Sequence, residues 1–470
     1  YRYVGQQQQT TTAMSGYRTL HRENTNPHPA DEDGSNSKKT VIPLWHTLFS
    51  PCAQSRPSHH RTAPSSSPPL RFLTASADGY VRAYEISDKE ISRGGEDTML
   101  DASALKLKMK HVLLGHNQLP PASSPQSKVT DIGYSKIDII RNYVGEDTKS
   151  GDEVVVALRL DGLVRLWIRP QCPPYLTTEE EQQQEDENLI QYSTVEFKVK
   201  ESTGTSIAIR PPSHSALPPS SSNSSKKQRI QNLTVAIANL NGSISFYDSG
   251  IPVHNHHIPE SQDERQQVEC EPKLINSIGS GGVIITSIVY HPSQHDTIAV
   301  GRKDGTIDVY APSNYESPGG ATAAYKRLHH FTNHFKPIRS LTFSSSSSSN
   351  GGNGSNDGAL LITGSDDGHI FIYDIFSRST STTMVSSIPN AHTSWILSTC
   401  SIPNSSRFVT CGADGKIKVW DTSLVNAGAV HTFDTVGGKN MVWGVSASYD
   451  SRKMISCDDN GMIQVYSCEE

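Results

Sequence analysis

The sequence predicts an all-β protein, a single seven-bladed β-propeller closed by a strand from its N-terminal part that completes the last blade. The main observation is one pattern that recurs seven times. Each copy has a short apolar strand, an Asp-Gly or Asn-Gly turn, a β-branched alternating strand and then an aromatic or tryptophan-containing end. The second observation is that only Cys468, Glu469 and Glu470 follow the last copy, too few for another strand.

Each copy of the pattern is a β-hairpin, because Asp-Gly and Asn-Gly accept the positive φ that a tight turn demands. Alternation within the strands places one side chain in two toward a core. Gly368, Gly415 and Gly461 are 47 and 46 residues apart, close to the ~40–45-residue period of a propeller blade. The seven copies cover residues 70–86, 154–168, 233–248, 297–310, 359–375, 407–422 and 452–467.

Further alternating segments supply the inner and outer strands of each blade. The predicted inner strands are 41–49, 128–134, 205–210, 283–290, 336–343, 394–400 and 441–446. The predicted outer strands are 107–114, 195–200, 273–278, 325–331 and 430–433. We expect YRTLHRE (17–23) to be the outer strand of blade seven and thus to close the ring.

Low-complexity composition separates the propeller from its insertions. Residues 1–16 are predicted to be a disordered N-terminal segment, and residues 17–470 form the propeller. Segments rich in Ser, Pro, Gln or Glu cannot bury enough apolar surface to fold alone, and so are predicted to be loop insertions. They cover about 55–69, 178–188, 211–229 and 344–358.

Composition excludes several functional classes. A net charge of −6 with 42 Lys and Arg gives no basic excess, so we expect no direct contact with nucleic acid. No apolar run approaches the ~20 residues of a membrane-spanning helix. Seven scattered Cys without a CxxC pair indicate reduced thiols, and the His pairs lack ligand spacing, so no metal or other cofactor is expected.

The blades resemble WD repeats, in which a His, a Ser or Thr, the turn Asp and a Trp form a hydrogen-bonded chain. Blade six has His392, Thr410, Asp414 and Trp420. The same comparison assigns His334, Thr363 and Asp367 in blade five and His116, Asp161 and Trp167 in blade two. Because such groups recur inside blades and not in one cleft, we interpret them as structural, and the protein is not expected to be an enzyme.

The C-terminal blades resemble a narrower family. KPIRSLTF, SDDGHIFIYDI, AHTSWIL, IKVWD, VWGV and MIQVYSCEE are similar to the WD-repeat subunit of the superkiller complex, which also occurs in the polymerase-associated factor complex. The resemblance implies a non-catalytic scaffold in cytoplasm and nucleus. Its implied partners are a tetratricopeptide-repeat subunit and an RNA helicase that feeds mRNA to the 3′–5′ exosome, and, in the nucleus, subunits accompanying transcription elongation.

One position of the inner strands predicts a docking surface. In a common register this position is held by Trp45, Thr130, Thr205, Thr286, Arg339, Leu397 and Trp443. Trp and Arg dominate binding hot spots. We therefore expect Trp45, Arg339, Trp395, Leu397 and Trp443 to bind a partner peptide or helix, with Trp45 beside Trp443. The alternative is that these tryptophans pack the seams between blades.

Two other functions compete with this one. A ubiquitin-ligase substrate receptor of this repeat type often has Arg or Lys two residues after a Trp-Asp pair, whereas Trp420-Asp421 is followed by Thr422 and Ser423. A propeller enzyme would gather acids, His or metal ligands at the channel mouth, whereas the register above supplies Thr, Leu, Trp and Arg.

Overall fold

The computed structural model describes most of the residues from 17 to 468. They are 17–24, 42–50, 70–88, 105–114, 134–144, 152–169, 193–199, 203–212, 232–255, 272–279, 282–294, 296–313, 324–344, 359–376, 383–423, 428–435 and 440–468.

The described residues form seven antiparallel sheets, each with an inner, a second, a third and an outer strand. The inner strands are β2 (Leu44–Phe49), β6 (Tyr134–Val144), β10 (Gly204–Ile209), β15 (Ile285–Tyr290), β19 (Ile338–Phe343), β23 (Ile396–Ser401) and β27 (Val442–Ala447). The second strands are β3 (Leu70–Ser76), β7 (Asp152–Arg159), β11 (Asn232–Asn239), β16 (Ile298–Arg302), β20 (Leu361–Ser365), β24 (Arg407–Gly412) and β28 (Lys453–Asp458).

The remaining strands complete the blades. The third strands are β4 (Val81–Asp88), β8 (Leu163–Arg169), β12 (Ile244–Pro252), β17 (Ile307–Pro312), β21 (Ile370–Tyr373), β25 (Lys416–Asp421) and β29 (Met462–Cys468). The outer strands are β5 (Leu105–Leu113), β9 (Ser193–Lys198), β14 (Lys273–Ile278), β18 (Tyr325–Phe331), β22 (Met384–Ile388), β26 (His431–Asp434) and, for blade seven, β1 (Tyr17–Asn24). A short strand, β13 (His254–Asn255), pairs in parallel with the end of β6.

The seven turns that link second and third strands follow the prediction from Asp-Gly and Asn-Gly. All seven glycines have positive φ, from 72° at Gly415 to 89° at Gly305. Each glycine N–H donates to the carbonyl three residues earlier, over 2.9 to 3.3 Å. In six blades the preceding Asp or Asn side chain also accepts the N–H two residues further on, as Asp367 does from His369 at 2.9 Å.

The hydrophobic core lies between the blades. Seven clusters of buried side chains occur, and each joins two neighbouring blades. The cluster between blades seven and one, for example, contains Phe72 and Tyr84 from blade one with Ile463 and Val465 from blade seven. Every blade therefore buries both faces of its sheet, as the predicted ring requires.

The N-terminal strand closes the ring as predicted. β1 pairs antiparallel with β29, from Tyr17 opposite Cys468 to Asn24 opposite Met462. Blade seven therefore contains strands from both ends of the described chain.

The structure corrects the prediction for blade two. Its inner strand is residues 134–144 and not 128–134. The stretch SKIDII alternates as well as KVTDIG does, and its choice buries Ile137 between blades one and two. The outer strand of blade five, Met384–Ile388, was not predicted, because only its last side chain is buried and its sequence shows no apolar alternation.

The predicted insertions connect strands on one side of the ring. Apart from Pro211, Pro212 and Ser344, they lie outside the described residues, as does 1–16. Each insertion follows an inner or a third strand, whose ends lie opposite the Asp-Gly turns. We call the side with the seven turns the turn face and the opposite side the insertion face.

Candidate protein-docking site

A β-bulge occurs near the start of every inner strand, on the turn face. The register shifts leave seven unpaired residues, namely Trp45, Ser135, Thr205, Thr286, Arg339, Leu397 and Trp443. The sequence register identified six of these bulge residues. In blade two the bulge residue is Ser135, whereas the predicted Thr130 lies outside the described residues, because the predicted strand was placed too early. Bulges redirect side chains and are frequent beside functional sites.

A repeated backbone hydrogen bond fixes the bulges to the turns. In six blades the first residue of the turn donates its N–H to the carbonyl two residues before the bulge, over 2.9 to 3.1 Å. Asp366 N bonds Pro337 O in this way, and Ala413 N bonds Trp395 O. The bulge side chains are therefore presented from a rigid backbone.

Arg339 and Trp395 contact each other across two neighbouring blades on the turn face. The Arg339 guanidinium makes two hydrogen bonds to Asp366, from Nε and Nη2, both 2.8 Å long. Its carbon Cζ lies 5.7 Å from the centre of the Trp395 ring, which belongs to the next blade. Two-point binding holds the guanidinium in one orientation, and the cation–π contact joins blades five and six. Trp395 itself is 42% exposed, so its ring is available to a partner.

Leu397 does not contribute an exposed contact. Its side chain is 5% exposed, although it occupies the bulge of blade six. The expectation that Leu397 is an accessible docking residue is therefore wrong for this structure. Trp395, two residues earlier, is exposed on the turn face of this blade.

Trp45 and Trp443 occupy equivalent bulges on the neighbouring inner strands of blades one and seven. Both side chains are partly exposed. Immediately after Trp443, a Cβ added to Gly444 would lie 3.1 Å from Thr47 N and 3.3 Å from His46 Cα. The two strands thus approach so closely that a larger residue in place of Gly444 would push its neighbours away by a few tenths of an ångström.

The bulge threonines have a structural role. Thr205 Oγ1 donates to Ala238 O at 3.1 Å or to Ile285 O of the next blade. Thr286 Oγ1 likewise contacts Gly301 O and the carbonyl of Ile338 in blade five. Blades three to five are therefore linked by threonine hydroxyl groups at the position that holds Trp in blades one and seven.

Three exposed apolar residues on the turn face were missed by the sequence analysis. Phe335, 65% exposed, precedes the inner strand of blade five and lies near Lys336, whose Nζ is 6.0 Å from the ring centre. Leu160 and Leu240 are exposed at the first position of the turns of blades two and three. The exposure of Leu160 and Leu240 could have been predicted from sequence. Each directly precedes the turn Asp or Asn, where a side chain has no core to pack into.

The hydrogen-bonded chain of blade six is complete. Trp420 Nε1 donates to Thr410 Oγ1 at 2.9 Å, and Thr410 Oγ1 lies 2.8 Å from His392 Nε2. His392 Nδ1 lies 2.9 Å from Asp414 Oδ1. One proton arrangement satisfies all four groups, with Thr410 donating to Nε2 and Nδ1 donating to the carboxylate. Burial alone would raise the pKa of Asp414, but the hydrogen bonds from His392 and from the backbone N–H groups of Thr393 and Lys416 outweigh it and lower that pKa.

Blade five has the same chain with one replacement. His334 Nδ1 lies 2.8 Å from Asp367 Oδ2, and Nε2 lies 2.8 Å from Thr363 Oγ1. The aromatic position holds Tyr373, whose hydroxyl donates to Asn333 Oδ1 at 3.0 Å. The pKa of Asp367 is lowered in the same way, since the bonds from His334 outweigh the effect of burial.

Blade two departs from the pattern. His116 lies outside the described residues. Asp161 is bound by Arg159, with Nε–Oδ1 2.8 Å and Nη2–Oδ2 2.7 Å, and this hydrogen bonding lowers the pKa of Asp161. The fully buried Trp167 donates from Nε1 to the carbonyl of Leu114 at 2.9 Å.

Among the described residues, no group of three or more His, Cys, Asp or Glu has a metal-binding arrangement. His59, His60, His256 and His257 lie outside those residues. The described part of the chain also has no helix with the length and apolar character needed to cross a membrane.

A comparison with known protein families supports the interpretation of the recurring sequence pattern as WD repeats. Residues 325–374 and 383–421, which cover most of blades five and six and the outer strand of blade four, match the WD domain, G-beta repeat family. No curated protein matches the chain. Both matched segments contain a His–Thr–Asp set described above, His334 to Asp367 in the first and His392 to Asp414 in the second. The chain is therefore a seven-bladed β-propeller that carries WD40 repeats.

Proposed function

We propose that the protein is a non-catalytic scaffold whose turn face docks protein partners. The observation that carries this proposal is the exposed Trp395 ring, held beside the fixed guanidinium of Arg339 on the turn face. Phe335 is a further exposed aromatic ring on the turn face of blade five, and Trp45 and Trp443 lie at the bulges of the two neighbouring blades of the closure seam. Ordered aromatic and Arg side chains bind with little loss of conformational entropy.

The His–Thr–Asp sets support a structural role over a catalytic one. In blades five and six both ring nitrogens of each His and the Thr hydroxyl are engaged inside the blade. The carboxylates additionally accept backbone N–H groups, as Asp414 does from Thr393 and Lys416. A nucleophile that is already fully hydrogen-bonded in a buried network is poorly placed to attack a substrate.

The finer proposal is membership of the superkiller complex, in support of exosome-dependent 3′–5′ mRNA decay in the cytoplasm. A second role, in transcription elongation with the polymerase-associated factor complex in the nucleus, follows from the same resemblance. Both roles rest on the resemblance of C-terminal segments, including KPIRSLTF and MIQVYSCEE, to the WD-repeat subunit of these complexes. The partners would be a tetratricopeptide-repeat subunit and an RNA helicase, without direct binding of nucleic acid by the propeller.

Affinity purification with mass spectrometry tests the proposal, using wild type, Trp395→Ala, Trp443→Ala and Tyr449→Ala. Tyr449 is an exposed aromatic residue on the insertion face, 55% exposed, and serves as the matched control. We expect a tetratricopeptide subunit with a helicase to be recovered by wild type and Tyr449→Ala. Loss of a hot-spot Trp costs about 2 kcal/mol or more, so recovery by Trp395→Ala should fall more than tenfold.

Thermal unfolding of the same variants separates docking from packing. Trp395→Ala should keep the wild-type melting temperature while it loses partner recovery. Parallel loss of melting temperature and recovery in Trp443→Ala would assign that residue to the seam. Recovery of a cullin adaptor in place of the helicase would overturn the finer proposal and favour a ubiquitin-ligase receptor.

A further inference from the structure

Arg339 and Trp395 carry two hydrogen-bond donors that the blades do not use. Asp366 takes the bonds from Nε and Nη2 of the guanidinium and leaves Nη1. Among the described residues, neither Arg339 Nη1 nor Trp395 Nε1 has a hydrogen-bond partner. The Arg339 side chain is 39% exposed and the Trp395 ring is exposed as well. Two donors are therefore available at the surface beside an aromatic ring.

The pair formed by Arg339 and Asp366 is electrically neutral. Each carboxylate oxygen of Asp366 accepts one bond from the guanidinium, and the carboxylate is buried. A cation from a partner would be repelled by Arg339 and would find the carboxylate already bonded. An anion from a partner would lie close to the charge of Asp366. Like charges at short range are unfavourable, so the site favours a neutral occupant.

Trp395 adds a fixed apolar surface to the two donors. Its carbonyl accepts the Ala413 N–H at 2.9 Å, which holds the backbone, and the Arg339 Cζ lies 5.7 Å from its ring centre. An aliphatic side chain laid on the ring would cover the N–H groups without bonding them, which is costly for each unpaired donor. An ordinary peptide backbone would bring N–H groups of its own beside the bonded carboxylate. The best match is a segment that has carbonyl groups and few or no N–H groups.

We propose that Trp395 and Arg339 bind a proline-rich segment of a partner protein in the polyproline II conformation. Proline offers a carbonyl without a backbone N–H, and its ring packs on an aromatic face. The Trp395 and Arg339 N–H groups would donate to carbonyls of the segment. Polyproline II is preformed in such segments, so little conformational entropy is lost on binding. The proposal rests on the turn-face docking proposed above and names the chemistry of the partner at the same site.

Fluorescence anisotropy with a labelled oligoproline peptide tests the site. Wild type should bind the peptide, and Trp395→Ala should bind at least tenfold more weakly, as expected for loss of a hot-spot Trp. Trp395→Phe keeps an aromatic ring but lacks Nε1, so its binding should be about fivefold weaker. Tyr449→Ala, on the insertion face, is the control and should bind as wild type does. A Gly–Ser peptide of the same length should bind at least tenfold more weakly than oligoproline.

The role of Arg339 is tested by a double variant, Arg339→Met with Asp366→Leu. It removes the guanidinium without leaving a buried carboxylate unpaired. We expect about fivefold weaker binding of oligoproline, since one hydrogen bond is lost. Thermal unfolding of all variants verifies that they are folded at the temperature of the binding assay.

Four outcomes would overturn the proposal. They are no binding of oligoproline by wild type, equal binding of the Gly–Ser peptide, unchanged binding by Trp395→Ala, and unchanged binding by the double variant. A large loss of binding between low and physiological salt would also contradict recognition by a neutral site.

The proposed function can fail separately. If oligoproline binding requires Trp395 while partner recovery in affinity purification does not, the proline site stands and turn-face docking at Trp395 is overturned. If partner recovery requires Trp395 and oligoproline does not bind, the docking site stands and its assignment to a proline-rich segment is overturned.

Discussion

The hydroxyl of Tyr17 accepts a hydrogen bond from Arg407 Nη1 at 2.7 Å, and thereby joins the closing strand of blade seven to blade six. The Arg407 guanidinium also lies over the Tyr17 ring, 5.7 Å from its centre. On the same side, Tyr17 stacks on His431 of blade six with 5.6 Å between ring centres. The first described residue of the chain is therefore held by two blades, so closure depends on more than the strand pairing with β29.

Tyr17→Ala should destabilise the ring. It removes a buried ring, the hydrogen bond from Arg407 and the stacking on His431, and we expect a loss of about 3–5 kcal/mol of unfolding free energy. Tyr17→Phe removes only the hydroxyl and should cost about 1–2 kcal/mol. Urea denaturation followed by tryptophan fluorescence measures both. The exposed Tyr449→Ala should change stability by less than about 0.5 kcal/mol, and an equally small effect of Tyr17→Ala would contradict the role of this contact.

Thr410→Val tests the hydrogen-bonded chain of blade six. Valine has nearly the same shape but leaves Trp420 Nε1 and His392 Nε2 without the hydroxyl that joins them. Unsatisfied buried groups predict a loss of about 2–3 kcal/mol in unfolding free energy, measured by urea denaturation. Thr432→Val, on the exposed side of β26, makes the same chemical change at the surface. Similar stability of the two variants would show that the chain contributes little.

Gly444→Ala tests the close approach of blades seven and one. The added Cβ would lie 3.0 Å from Cys457 Sγ and 3.1 Å from Thr47 N, so the strands must separate. Overpacking of this kind costs about 1–3 kcal/mol. Gly279→Ala is the control, because its Cβ would meet nothing within 4 Å. A melting temperature of Gly444→Ala equal to that of the control would show that the seam adapts without cost.

His46 and Asp138 should give opposite pH dependences of stability. Burial, with a smaller effect of the Lys136 charge, lowers the pKa of His46 well below 6.5. The buried Nδ1 of His46 has no hydrogen-bond partner, which agrees with a neutral ring. Below about pH 6.5 the unfolded chain binds a proton that the folded protein does not, so this group lowers stability as the pH falls. His46→Gln should remove that loss, by up to about 1.4 kcal/mol per pH unit.

Asp138 acts in the other direction. Burial raises its pKa to about 6, although its carboxylate accepts the N–H groups of Ile209 and Ile139. Between about pH 6 and pH 4 the folded protein binds a proton that the unfolded chain does not, so stability rises as the pH falls. Relative to wild type, Asp138→Asn should therefore lose stability on acidification while His46→Gln gains it. Urea denaturation from pH 4 to pH 7 measures the slopes, and parallel profiles for the two variants would contradict both assignments.

The hairpins could be predicted from sequence because a local pattern determines them. An Asp-Gly or Asn-Gly pair fixes the turn, and the alternating strands beside it have one register that buries their apolar side chains. The closing strand, predicted at 17–23, is β1 (Tyr17–Asn24) in the structure and pairs with β29. The inner strand of blade two was predicted wrongly at 128–134, because the neighbouring stretch also alternates; in the structure the strand is 134–144, with Ile137 buried between blades one and two.

The sequence predicted where the residues of the candidate site lie in the inner strands. It did not predict which of their side chains are exposed. A common register located the bulge at Trp45, Arg339 and Trp443 without knowledge of the bulge itself. It did not distinguish the buried Leu397 from the exposed Trp395, since both are apolar and two residues apart.

The separation of the two faces has an evolutionary consequence. Insertions that leave from the insertion face can lengthen, shorten or change composition without moving a bulge or a turn glycine. The turn face is constrained at each blade, since a bulge, an Asp-Gly or Asn-Gly turn and, in six blades, a connecting hydrogen bond must be retained together. Orthologues of this chain should thus vary in the length of the predicted insertions while they conserve the bulges and the turn glycines of the turn face.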